Sequence, residues 1–377
     1  MNKKKIIFLT GTRADFGKLK PLILKLKGDD RFDVHLFITG MHMLSKYGYT
    51  CTEVELLGIK NIYKFINQSL NDGMDQILAK TIQGLSDFVN ENSPDMIIVH
   101  GDRVEALAGA SVGALNNILV GHVEGGEVSG TVDEIMRHAI TKLSHVHFVA
   151  NNSAKNRIIQ LGEVSEHIHV IGSPDIDIMN SGQLPSLEEV KKRYSFEYDS
   201  YAILMFHPVT TELEKLESQI KIVIDEVIKS EKNYIVIYPN NDHGTDVILR
   251  EFSRLEKRRN FSIYPSMRFE YFLTLLKNAS FIIGNSSAGV REAPHYGVPA
   301  INLGSRQNNR VVSDLILNVD FVACDISKAI QVSTDIEKIP HAIFGTGNSA
   351  NLFHRVMKDI AVWGNSTQKT FVDRDVL

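Results

Sequence analysis

Cysteine is almost missing from this sequence: Cys51 and Cys324 are the only two in 377 residues, and they stand far apart. They form no disulfide framework, and no CxxC pair offers a zinc or redox site. Ordinary thiols in a reducing compartment are expected. Charge of one sign is missing as well. The formal net charge is −4, so no broad basic field exists to hold nucleic acid or an anionic membrane. Long apolar runs are lacking, none approaching the roughly 20 residues that span a bilayer. The run Ile6–Leu9 is too short for a signal-peptide core, and Thr10-Gly11-Thr12-Arg13 ends it at once. The expectation is a cytoplasmic protein with neither nucleic acid nor membrane as partner. With 43% apolar and 23% charged residues, the balance is that of a globular chain, long enough for two domains.

What is present alternates. Short β-branched runs at Lys5–Leu9, Val34–Thr39, Asp95–His100, Leu119–Glu124, His145–Ala150 and His167–Gly172 read as strands, with helical patterns such as Phe16–Lys27, Met74–Asn92 and Val104–Asn116 between them. A turn-rich stretch, Ser181-Gly182-Gln183-Leu184-Pro185, reads as a linker. The pattern then restarts, with strands at Ala202–His207, Tyr234–Tyr238, Ser262–Tyr264, Phe281–Gly284 and Pro299–Leu303. Helical stretches Glu212–Lys229, Thr245–Lys257, Arg268–Asn278 and Val290–Tyr296 separate these. Repeated βα units predict an α/β protein of two Rossmann-like doubly wound domains with an interdomain cleft. The domains are placed at 1–175 and 185–350, with the helical stretch 351–377 packing back on the first. A homodimer is the expected assembly.

In such sheets ligands sit beyond the carboxyl ends of the strands, so polar residues just after strands deserve inspection. Thr10-Gly11-Thr12-Arg13-Ala14-Asp15-Phe16-Gly17-Lys18 joins a strand to a helix N-terminus, with Arg13 and Lys18 able to meet an anion. It lacks the GxGxxG spacing of a dinucleotide site. His100-Gly101-Asp102-Arg103, His122-Val123-Glu124-Gly125-Gly126-Glu127 and Gly130-Thr131-Val132-Asp133-Glu134 follow, the last running into Arg137 and His138. Asp102, Glu124 and Asp133 would gather at one edge, an arrangement suited to acid–base work. The plainer alternative is that Asp102 pairs with Arg103 and Asp133 caps a helix. In the second half, His207 follows one strand, and Gly284-Asn285-Ser286-Ser287-Ala288-Gly289 leads into Arg291 and Glu292. Such a loop can cradle a diphosphate, although Ser286 and Ser287 also suit ordinary capping. The HxH pairs His145/His147 and His167/His169 lack a third ligand at a fixed spacing, so no metal is expected.

Together these motifs resemble one family, the hydrolysing UDP-N-acetylglucosamine 2-epimerases of sialic-acid biosynthesis. The segments that carry the resemblance are GTRADFGKLKPL (11–22), HGDRVEALAGA (100–110), HVEGGEVSGTVDE (122–134), MFHPVTTE (205–212), YPNND (238–242), RFEYFLTLLK (268–277) and GNSSAGVREAP (284–294). The resemblance implies a GT-B-like fold closing on a UDP-amino sugar, with no organic cofactor and no metal. It implies that Asp102, Glu124 and Asp133 are the catalytic carboxylates. It also implies that Arg13, Lys18, His207, Ser286, Ser287 and Glu292 hold the nucleotide and diphosphate, with Phe272 near the uracil. The related non-hydrolysing enzymes resemble GTRPE at the first loop and HxEAGxR at the third. Gly11-Thr12-Arg13-Ala14-Asp15 and His122-Val123-Glu124-Gly125-Gly126-Glu127 therefore favour release of free sugar. A hydrolysing enzyme for a UDP-diacetamido-trideoxyglucose shares much of the same motif set.

Overall fold

The computed structural model describes residues 3–69, 72–129, 132–240, 242–307 and 313–373. Gly130, Thr131 and Asn241 of the motifs, and the last four residues of the stretch 351–377, lie outside the described residues. The chain divides into two compact units: Met1–Glu127, Asp133–Ser181 and Phe344–Leu377 form one, and Val128–Val132 with Gly182–Ile343 the other. Both are Rossmann-like.

Among the described residues the first unit has seven strands: β1 Lys4–Thr10, β2 Phe32–Ile38, β3 Asn61–Lys64, β4 Met96–His100, β5 Leu119–Val123, β6 Val146–Val149 and β7 Ile168–Val170. They pair in parallel in the order β3-β2-β1-β4-β5-β6-β7. The central strands read as unbroken apolar runs because helices cover both faces. Ile6 and Phe8 of β1 point into a core on one face, and Ile7 and Leu9 into a core on the other. The helix Ser349–Lys358 belongs to this unit, where Phe353 is buried with its ring 4.7 Å from Phe148 and 6.4 Å from Phe8. Asp177 anchors its start, accepting from the N–H groups of Ser349 at 2.8 Å and Ala350 at 2.7 Å.

The second unit has β8 Ala202–Met205, β9 Tyr234–Ile237, β10 Phe261–Tyr264, β11 Ile282–Gly284, β12 Ala300–Leu303 and β13 Ile316–Val319. Their order, β10-β9-β8-β11-β12-β13, is again all parallel. In both sheets the chain order reverses beside the first strand, between β1 and β4 and between β8 and β11. At such switch points neighbouring loops diverge and leave room for a ligand.

Candidate active site

In the first unit, the loop after β1 enters the helix Arg13–Lys27 through a capping box of Thr12 and Asp15. Asp15 also accepts from Thr10 Oγ1 at 2.8 Å and from the N–H groups of Gly11 and Thr12 at 2.9 and 3.0 Å. Because the Thr10 proton goes to Asp15, Thr10 Oγ1 accepts from His42 Nε2 at 3.1 Å, and His42 Nδ1 in turn accepts from Thr50. This tautomer is neutral, and burial holds the His42 pKa down to about 4. One carboxylate and one imidazole thus fix the Gly11-Thr12-Arg13 turn. Arg13 lies against Glu53, its Nε 3.1 Å from Oε2 and its Nη2 on Oε1.

Glu124 stands immediately after β5 with φ +62°, in the left-handed region that side-chain-bearing residues rarely adopt. Its N–H donates to Phe148 O of β6 at 2.8 Å, which aims the side chain at the sheet edge. Glu124 is buried and held by three donors: Lys18 Nζ at 3.0 Å and His100 Nε2 at 3.1 Å on Oε2, and the Ser173 hydroxyl on Oε1. Lys18 also reaches Asp175 at 3.3 Å.

Asp102 pairs with the guanidinium of Arg137. Arg137 lies one helical turn after Asp133 on Val132–Leu143 and is fully buried. Burial opposes its charge, but Asp102, Glu127 and Asp133 more than offset this and raise its pKa above the ordinary value. Its Nη1 also donates to Glu127 O at 3.1 Å. The turn bearing Asp102 is fixed from below by His122, whose Nε2 donates to Gly101 O at 2.8 Å. Burial lowers the His122 pKa to about 3, so the ring is neutral. Gly126, at φ +75°, admits no side chain: a Cβ there would lie 2.3 Å from Ala154 O.

In the second unit, the loops after β8 and β11 are stitched together by Asn285. Its Oδ1 accepts from His207 N–H at 2.7 Å and its Nδ2 donates to His207 O at 2.8 Å. The N–H of Asn240 donates to His207 Nδ1 at 3.1 Å, which puts the ring proton on Nε2. Gln307 and Arg306 donate to Asn285 O at 3.0 and 3.3 Å. Ser286 caps the short 3₁₀ turn Ser287–Gly289, accepting from Ala288 N–H at 3.3 Å. Glu292 is buried at the start of the turn Glu292–His295, against which the helix Phe269–Asn278 carrying the buried Phe272 packs.

Seven of the expected site residues fall into three groups: Lys18 touches Glu124, Asp102 pairs with Arg137 one helical turn from Asp133, and His207 is tied to the Ser286–Ser287 loop through Asn285. Of the rest, Arg13 pairs with Glu53, and Phe272 and Glu292 stand on elements of the second unit that pack together. Arg137, His100, Ser173, Asp175, Arg306 and Gln307 also belong to these groups. His100 opens one motif and Arg137 stands three residues beyond another, so both lie where the sequence draws attention. Ser173 and Asp175 reach the site from 49 and 157 positions away, which no local spacing announces.

Three comparisons bear on this arrangement. Residues 24–358 match the model of the family described as UDP-N-acetylglucosamine 2-epimerase. The chain is 48% identical over 374 residues to a UDP-N-acetylglucosamine 2-epimerase of Neisseria meningitidis serogroup B, covering 98% of this chain and 99% of that one. It is 32% identical to a UDP-N,N'-diacetylbacillosamine 2-epimerase (hydrolyzing) of Legionella pneumophila, covering 95% and 96%. Among solved structures, a UDP-GlcNAc 2-epimerase of Neisseria meningitidis bound to UDP-GlcNAc superposes with a TM-score of 0.79 at 20% identity, covering 94% of this chain and 99% of that one. At that identity the likeness speaks for the fold.

Proposed function

The chain belongs to the UDP-N-acetylglucosamine 2-epimerase family, and from that premise we propose that it converts UDP-N-acetylglucosamine and water to N-acetylmannosamine and UDP, the opening step of sialic-acid biosynthesis. The observation that carries this reading is the pairing of two differently held carboxylate centres at neighbouring strand ends. Glu124 is buried under three donors, whereas Asp102 retains 28% side-chain exposure beside Arg137. Inversion at C2 needs a group that takes a proton and a group that returns one on the opposite face.

In the first half-reaction the C2–H bond breaks, its proton passes to a carboxylate, and its electrons form the C1–C2 double bond. The C1–O bond breaks at the same time and its electron pair leaves with UDP, giving 2-acetamidoglucal. In the second, the electrons of the double bond take a proton at C2 from the other face while water bonds its oxygen to C1 and gives up one proton to a carboxylate. The first-unit carboxylates suit the proton transfers and stabilise oxocarbenium character at C1. The second unit supplies the Nε2–H of His207 and the N–H groups opening the Ser286–Ser287 turn, which suit a departing diphosphate. Release of free sugar is favoured by the sequence at Ala14-Asp15 and Gly125-Gly126-Glu127, and a relative of 32% identity is itself described as hydrolyzing.

Incubation with UDP-N-acetylglucosamine in heavy water, followed by proton NMR, tests the proposal. Free N-acetylmannosamine carrying deuterium at C2, with UDP in equal amount, is expected. UDP-N-acetylmannosamine without free sugar would move the chain to the non-hydrolysing branch. Turnover confined to the UDP-diacetamido-trideoxy sugar would transfer the assignment to the substrate type of the Legionella relative.

A further inference from the structure

The helix Val132–Leu143 carries Asp133 near its start and Arg137 in its middle, so its axial placement decides where both groups stand. The last carbonyls of a helix have no partner within it and are commonly satisfied by a following glycine turn or by a cation. Here Leu143 is followed by Ser144 and His145, with no glycine. The partner comes from the far end of the chain. Lys369 Nζ donates to Thr141 O at 3.3 Å, to Lys142 O at 2.8 Å and to Ser144 O. An ammonium at this end also complements the negative pole of the helix.

The surroundings hold that ammonium in place. Lys369 keeps 22% side-chain exposure and lies 2.7 Å from Glu163 Oε2. Glu163, which is buried, also accepts from Lys142 Nζ at 2.6 Å and His147 Nε2 at 3.3 Å. On either side of Lys369 the segment is pinned to the same unit. His145 Nδ1 accepts from Val120 N–H at 3.0 Å, so its Nε2 carries the proton donated to Thr367 O at 3.1 Å. Val372 N–H donates to Gly162 O at 3.0 Å, and Phe371 lies over Gly162 with Lys142 5.2 Å from its ring centroid. The strap therefore sets one cation against one particular helix.

We propose that Lys369 is a positioning residue for the reaction: the C-terminal strap 365–373 docks its ammonium on the carbonyl end of the helix Val132–Leu143 and so holds Arg137 on Asp102 and Asp133 at the site. This rests on the reading above that Asp102, Asp133 and Arg137 serve the chemistry. The strap touches none of those groups, and its effect travels through the axial position of the helix. It should therefore change kcat and leave alone the binding of UDP, which is assigned to Arg13, Lys18 and the second-unit loops and not to this helix.

The test uses the full chain with Lys369→Met and Lys369→Arg, comparing kcat and KM for UDP-N-acetylglucosamine, UDP affinity by calorimetry, and amide exchange along the helix. Lys369→Met should lower kcat about tenfold, keep KM and UDP affinity within about twofold of wild type, and speed exchange up to and including Arg137. Lys369→Arg should recover most of the lost kcat. A wild-type kcat in the Met variant, or a lowered Tm with kcat per folded molecule unchanged, would overturn the proposal. If Lys369→Met does not fold, Val372→Pro loosens the strap without removing the charge and should shift kcat in the same direction; no shift overturns the proposal. If wild-type protein shows no turnover of any UDP-amino sugar, the proposed function has failed. Amide exchange then judges Lys369 alone, and unchanged exchange at Arg137 overturns its role.

Discussion

At the scale of single residues, Glu124 concentrates the conflict between stability and function. A non-glycine residue at φ +62° carries backbone strain of about 1 kcal/mol or more, yet the position holds a glutamate buried among Lys18, His100 and Ser173. Glycine would satisfy the backbone better, which accords with the proton-transfer role proposed for this carboxylate. Glu124→Gln keeps the shape and one acceptor, and Lys18 retains Asp175. The expected outcome is a kcat lowered by about 10² or more with Tm within a few degrees of wild type. Steady-state kinetics beside thermal unfolding checks it, and a kcat within tenfold of wild type would remove Glu124 from the chemistry. Glu124 could be singled out from the sequence because it follows an apolar strand directly. Its donors could not all be found that way. Ser173 meets it, and Asp175 meets Lys18 beside it, only once the chain has crossed two further strands, and nothing in Ile171-Gly172-Ser173-Pro174 marks a contact with residue 124.

At the scale of elements, most of both sheets could be read from the sequence because a strand covered on both faces must be apolar along its whole length. Lys4–Thr10, Met96–His100, Ala202–Met205 and Tyr234–Ile237 show this pattern. The strands that escaped reading are at the sheet edges. Asn61–Lys64 is largely exposed and Ile316–Val319 is half covered, so neither needs a continuous apolar run. The helix Pro174–Met179 was hidden between a strand end and a linker, too short to show a period. The loop after β11 was visible as Gly284-Asn285-Ser286-Ser287, and the structure shows why it begins with glycine. Gly284 has φ +135°, and a Cβ there would stand 1.8 Å from Met205 O of the neighbouring strand. Because that contact is with backbone, no rotamer relieves it. Gly284→Ala should destabilise the second unit by about 3 kcal/mol and weaken UDP binding at least about tenfold. Urea unfolding followed by circular dichroism and calorimetry with UDP measure the two effects, and wild-type values in both would refute the packing argument.

At the scale of the whole molecule, three buried histidines of the first unit set how its stability depends on pH. His42 and His147 have pKa values lowered to about 4, and His122 to about 3, in each case chiefly by burial. In the unfolded chain each would titrate near 6.5. The unfolded state therefore binds more protons below that pH, and stability must fall as the solution is acidified. Above about pH 7.5 the three contribute little pH dependence. From pH 6.5 to 5.5 each costs about 1 kcal/mol, or about 3 kcal/mol together. Glu163 does not cancel this loss. Burial works against its charge, but hydrogen bonds from His147, Lys142 and Lys369 carry its pKa down to about 2, so its contribution is lost only as pH falls through that value. The single tryptophan, Trp363, lies in the first unit with its ring 6.3 Å from that of Phe32. Its fluorescence reports that unit's unfolding alone. Urea titrations at pH 8.5, 7.5 and 5.5 should show a tryptophan midpoint steady between the first two and clearly lower at the third. A midpoint unchanged at pH 5.5 would mean that the imidazoles accept protons without unfolding, and that the networks through Thr10, Gly101 and Glu163 bend where this structure shows them fixed.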